Sequence, residues 1–97
     1  MESKVAVRVV HIRSDVSDSV SVWHRFLECV NKLHVCILAS DHHLFPGGGL
    51  TGTIILSESH AAIHTWPEEQ YAWCELATCG DPDDCDLFES LLQQAFN

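Results

Sequence analysis

Leu50–Trp66 reads LTGTIILSESHAAIHTW. Two runs of strand length, LTGTIILS and HAAIHTW, flank a Glu-Ser pair, and β-branched residues crowd both. They are expected to be the third and fourth strands of a sheet, with the rest of that sheet lying on either side in the chain. Upstream, KVAVRVVHI puts Val5, Val7 and Val9 on one face by period two. HVCILAS is a second strand, and its unbroken apolar run predicts burial on both faces, Cys36 included. Between the second and third strands, DHHLFPGGGLTG reads as a loop and a bend, because Gly orders at the highest entropic cost. Downstream, QYAWCELATCG alternates and makes a fifth strand.

Helical spacing occupies the remaining segments. After Asp15, the residues Val16, Val20, Trp23, Phe26, Leu27, Val30 and Leu33 recur on one side, with Asp18, His24, Arg25, Glu28 and Lys32 mostly opposite. A last helix starts with Asp81 as cap and Pro82 in the first turn. It carries Asp83, Asp84 and Asp86 at its positive end and buries Cys85, Phe88, Leu91, Leu92, Ala95 and Phe96. The order is β-α-β-β-β-β-α. Two amphipathic helices most economically cover one face of a mainly antiparallel sheet, an α+β two-layer sandwich. Apolar residues at both parities of several strands predict that a second copy covers the other face, giving a four-layer αββα homodimer. At 97 residues the chain is one domain, 1–97, near the lower size limit for a self-sufficient core, and pairing would add stability.

Fourteen acids against five Lys and Arg give a formal charge of −9. Such a surface repels phosphate backbones and anionic lipid, which argues against nucleic-acid and membrane partners and favours a cationic small molecule. Five cysteines, no apolar leader and no long apolar run are expected of reduced thiols in the cytoplasm.

The central segment fits three familiar chemistries poorly. A Ser-His-Asp hydrolase lacks its G-x-S-x-G elbow, and Glu58 adjoins Ser59 in sequence instead of standing where it would orient an imidazole. His60, His64 and the His42-His43 pair, with Cys74, Cys79 and Cys85, have neither the C-x2-C spacing of structural zinc nor the helical His pair of zincins, so no metal is expected. PGGG is followed by no Lys-Ser/Thr and no helix, which argues against a phosphate loop.

The stretch LFPGGGLTGTIILSESHAAIHTWPEEQYAWCELATCG resembles the core of the prokaryotic S-adenosylmethionine decarboxylases, self-processing pyruvoyl enzymes of polyamine synthesis. The Glu-Ser-His triplet, IHTWPE directly after it, and TCG closing the next strand carry the resemblance, with His64 five residues and Cys79 twenty residues beyond Ser59. The resemblance implies that Ser59 attacks the carbonyl of Glu58. Elimination would then leave a β chain, 1–58, and an α chain, 59–97, capped by a pyruvoyl group made from Ser59. That group would be the only cofactor, with neither metal nor pyridoxal phosphate.

In the same reading Ser59, as pyruvoyl, holds the substrate amine as a Schiff base, His64 is the processing base, and Thr51 supports processing where relatives often carry serine. Cys79 is the proton donor, a role that a thiol of reference pKa ~8.5 suits. It ends a strand before a glycine, whereas Cys36 sits inside VCILA. Phe45 and Glu68 are implied substrate contacts, and Trp66 belongs to the core or rim. Ser59 and His64 differ in parity, so a straight strand would aim them at opposite faces, and the resemblance implies a bend near Ser59.

The implied activity is decarboxylation of S-adenosylmethionine to the aminopropyl donor of spermidine synthesis. The same machinery acting on ornithine or arginine, and an unprocessed homologue serving as a partner subunit, are the alternatives.

Overall fold

The computed structural model describes residues 5–96. Five strands, β1 (Ala6–Arg13), β2 (Ile37–Leu44), β3 (Leu50–Leu56), β4 (Ser59–Trp66) and β5 (Tyr71–Thr78), form one antiparallel sheet in the order β1-β5-β4-β3-β2. Helices α1 (Ser19–Asn31) and α2 (Asp83–Ala95) cover one face, so the α+β order expected from the sequence stands.

Alternation decides what each strand gives the core. On β3, Leu50, Ile54 and Leu56 face the helices; on β4, Ala61 and Ile63; on β5, Ala72, Cys74 and Leu76. From above, Val22, Trp23, Phe26 and Val30 of α1 and Phe88 and Leu92 of α2 complete the core. Phe26 and Phe88 meet edge to face, with ring centroids 6.1 Å apart, a favoured aromatic geometry. Gly52 leaves room for Trp23: a Cβ there would lie 2.2 Å from the indole Cζ3. At the sheet edge, Arg8 of β1 reaches α2, pairing with Glu89 at 2.6 Å and Asp86 at 2.8 Å. Those two carboxylates raise its already high pKa.

Several boundaries differ from the sequence reading. Helix α1 begins at Ser19, not after Asp15; Asp18 caps it by accepting from the Ser21 N–H at 3.2 Å. Asp15 instead makes a local turn, its carboxylate accepting from the Ser17 N–H at 2.9 Å and hydroxyl at 2.6 Å. Val16 is buried without being helical, Val20 is exposed, and Val22 takes the inward position. Helix α2 likewise starts one residue later than expected: Pro82, not Asp81, is its N-cap, and Asp81 just before it accepts from the Asp83 N–H at 2.9 Å.

The second strand departs furthest. It runs through Asp41, His42 and His43, which were expected in a loop, and it is an exposed edge strand rather than a doubly buried one. Cys36 just before it is exposed, contrary to expectation. The apolar run HVCIL marks β propensity here, not depth. The true turn is Phe45–Gly49, where Gly47 and Gly48 take φ of +95° and +97°, conformations that L side chains rarely adopt. It closes through Phe45 N–H to Gly49 O at 2.8 Å and Gly48 N–H to Phe45 O at 3.0 Å. The Ser19 hydroxyl donates to Gly48 O at 2.6 Å and fastens the turn to the head of α1.

The sheet's second face has no covering layer among the described residues. It presents Val7, Val9, Ile55 and Trp66 beside Thr51, His60, His64 and Glu75.

Candidate active site

β3 and β4 meet in a two-residue turn, Ser57-Glu58, with Leu56 opposite Ser59. Glu58 carries φ = 60°, a left-handed conformation that costs a non-glycine residue roughly 1 kcal/mol. The residue before the candidate nucleophile is therefore held in a strained turn by the hairpin on both sides.

Pairing of β4 with β5 sets His60 against Ala77 and brings Ser59 beside the end of β5. The Ser59 hydroxyl donates to Thr78 Oγ1 at 3.3 Å and accepts from the Cys79 backbone N–H at 3.3 Å. Thr78 is buried and its Oγ1 also accepts from the Gly80 N–H at 3.0 Å. Twenty residues of sequence separation thus collapse to one hydrogen bond, and Cys79 is exposed beside it. Thr78 was missed by the sequence reading; its place directly before Cys79 was the available signal.

The remaining candidates gather elsewhere. Thr51 lies opposite His64 in the β3–β4 register, and its hydroxyl is 3.0 Å from His64 Nδ1. Trp73 and Trp66 flank the imidazole at 5.7 and 6.3 Å between ring centroids. A cavity of about 490 Å³ opens there, lined among others by Phe45, Thr51, His64, Trp66 and Glu68. The two implied substrate contacts and the two implied processing groups therefore share one cavity, with Trp66 on its rim.

Ser59 and Cys79 are not part of it. β4 runs without a break from Ser59 to Trp66, so the bend expected near Ser59 does not occur. Five residues of strand put Ser59 and His64 roughly 16 Å apart. Ser59 shares the parity of buried Ala61 and Ile63, whereas His64 shares that of His60 and Trp66 on the open face. One copy of the chain does not bring Ser59 to His64.

The histidines considered for metal are engaged separately. His60 bonds Glu75 at 3.2 Å, His64 bonds Thr51, His42 packs on Trp23 at 5.0 Å, and His43 packs on Phe45 at 4.6 Å. Burial pushes the Cys74 thiol far up in pKa, and Cys29 and Cys85 upward for the same principal reason.

Comparison with known proteins gives the family. The family described as S-adenosylmethionine decarboxylase matches residues 4–97, and the chain belongs to it. An S-adenosylmethionine decarboxylase proenzyme of Acidithiobacillus ferrooxidans is 40% identical over 83 residues, which cover 86% of this chain and 62% of that protein. One from Pseudomonas paraeruginosa is 44% identical over 55 residues, or 57% of this chain and 34% of that protein. The matched part of the chain thus spans 62% and 34% of these relatives' own lengths. The crystal structure of the adenosylmethionine decarboxylase from Aquifex aeolicus superposes over the whole chain and 83% of its own, with a TM-score of 0.87 at 22% identity, a likeness of fold.

Proposed function

We propose that the chain is a self-processing, pyruvoyl-dependent decarboxylase of S-adenosylmethionine, supplying the aminopropyl donor for spermidine synthesis. The observation that carries this reading is the Ser59 hydroxyl held by the Cys79 N–H, directly after a left-handed Glu58. Family membership supports it as well.

The residues at the turn fit formation of the group. Ser59 Oγ attacks the Glu58 carbonyl carbon and converts the amide to an ester. Removal of the Ser59 α-proton expels the Glu58 carboxylate. Addition of water then releases ammonia and leaves a ketone at the new end of residues 59–97. Cleavage also frees Glu58 from its left-handed φ, so roughly 1 kcal/mol of strain favours the forward direction. Once formed, the ketone supplies an electrophile for the substrate amine and a sink for the electrons left by CO2. Cys79, exposed beside Ser59, is placed to hold and deliver the proton that replaces CO2. Phe45 offers an apolar face and Glu68 a carboxylate to a flat, cationic substrate. Five unpaired thiols are compatible with a reducing cytoplasm.

The separation of Ser59 from His64 supports a homodimer with open faces packed together. In such a pair the turn of one protomer lies toward the cavity end of the other, and Ser59, whose side chain faces the helices, reaches the partner's His64 and the partner's Thr51 only by turning round the end of β4. The test is co-expression of two disabled chains. His64→Ala alone and Ser59→Ala alone stay uncut, whereas together the His64→Ala chain is cleaved. Failure of the pair to complement would overturn the shared site. CO2 release measured in parallel from S-adenosylmethionine, ornithine and arginine is expected only with the first. Release from another substrate would transfer the assignment, and no release from any would leave the partner-subunit reading.

A further inference from the structure

The strongest unassigned chemistry lies where the end of α1 meets the start of α2. Asp84, in the first turn of α2, is completely buried. One carboxylate oxygen accepts from the His34 backbone N–H at 3.2 Å and lies 3.0 Å from His34 Nδ1. The other, Oδ2, is buried and has no hydrogen-bond partner. Asp81 Oδ2 stands 3.5 Å from the same His34 nitrogen. A buried carboxylate with an orphaned oxygen is costly unless a cation or donors compensate it.

We propose that His34 Nδ1, Asp81 and Asp84 bind a first-row divalent cation of the zinc class. One ligand atom from each of the three lies within 4.8 Å of the others. Ligands on a tetrahedral ion at bond lengths of ~2.05 Å sit ~3.3 Å apart, and the two His34 separations bracket that spacing. One imidazole nitrogen with two carboxylates suits zinc, cobalt or manganese better than magnesium or calcium, which prefer all-oxygen shells. Ligation by Nδ1 requires its proton to move to Nε2 or to solvent.

The site is reachable: the side chains of His34 and Asp81 are 70% and 41% exposed, leaving room for water as a fourth ligand. Asp83 adds negative charge in the same helical turn, whereas Asp86 there is already paired with Arg8. Occupancy would staple the end of α1 to α2 immediately after Cys79-Gly80. The proposal is independent of the decarboxylase reading. It also involves none of the histidines and cysteines that the sequence singled out, because its ligands are contributed by two segments far apart in the chain.

The test is equilibrium dialysis of the full-length protein against zinc chloride with a phosphine reductant, paired with thermal melts and cobalt absorption spectra. One equivalent per chain is expected, together with a zinc-dependent rise in Tm and the visible d–d bands of tetrahedral cobalt without thiolate charge transfer. His34→Gln and Asp81→Asn, both at exposed positions that leave the core intact, should weaken binding more than about tenfold and abolish the zinc-dependent rise. Absence of saturable binding, undiminished binding in both variants, or a thiolate-to-cobalt band would each overturn the site.

Discussion

Gly52→Ala probes the packing that joins α1 to the sheet one residue from Thr51. Alanine ordinarily suits a strand better than glycine, by roughly 0.5–1 kcal/mol, so propensity alone predicts a gain. The structure reverses the sign. The new Cβ would lie 2.2, 2.7 and 2.9 Å from three carbons of the Trp23 ring, and the shortest falls about 1.2 Å inside ordinary contact at 3.4 Å. Trp23 is only 5% exposed and stacks on Phe26 and His42, so the indole has no free direction in which to swing.

Two responses are open to the protein. If α1 lifts, the cost is that of overpacking, about 1–3 kcal/mol. If the indole is expelled, burial of about 150–250 Å² is lost, or ~4–6 kcal/mol. We expect about 2–4 kcal/mol, which for a domain of this size lowers Tm by roughly 10–30 °C. Thermal and urea melts in a Ser59→Ala background keep the chain in a single uncut state. In a Trp23→Leu background the same glycine substitution should cost less than about 1 kcal/mol, a non-additivity that reports direct contact. A Tm within a few degrees of the parent, or an equal cost in both backgrounds, would refute the packing.

Thiol reactivity follows burial: near neutral pH, iodoacetamide should label Cys36 and Cys79 quickly and spare Cys29, Cys74 and Cys85, as read by peptide mass mapping. The buried thiols, with raised pKa, contribute stability that is complete below the unfolded value of ~8.5 and is lost as pH rises above it; melts should therefore weaken on the alkaline side, and a Tm flat through that range would contradict the burial. At the acid end, the Ser17 hydroxyl and then its N–H hold the Asp15 carboxyl below its ordinary 3.8. The stability this adds is present above that pH and lost as pH falls through the lowered value; Ser17→Ala should move the Asp15 titration upward by NMR, and an unchanged midpoint would discount the turn.

Much of the fold was legible because period-two and helical patterns are local. Phe26 and Val30 on α1 and Phe88 and Leu92 on α2 reach the core as their spacing demands, whereas on β1 the period-two set Val7 and Val9 lies on the open face and Val10 and Ile12 go inward. What failed was edge position. Nothing in HVCILAS distinguishes a buried central strand from the exposed β2, since partners on each side are set by topology. Asp15 and Asp18 are both residue types that cap helices, and in the structure Asp18 caps α1 while Val16, just before it, is buried outside the helix.

The candidate residues were legible as a set but not in their grouping. Strand parity already separated Ser59 from His64, and the uninterrupted β4 follows parity, not the expected bend. The Ser59–Cys79 contact depends on β4–β5 register, and the Asp84–His34 pair on how two helix ends meet; neither is a property of spacing.

Intact mass of the purified chain under denaturing conditions, before and after borohydride, tests the pyruvoyl proposal most directly. The account requires two fragments dividing between Glu58 and Ser59, with residues 59–97 lacking a free amine and gaining two hydrogens on reduction. A lone 10.8 kDa species, inert to hydride after long incubation, would contradict it.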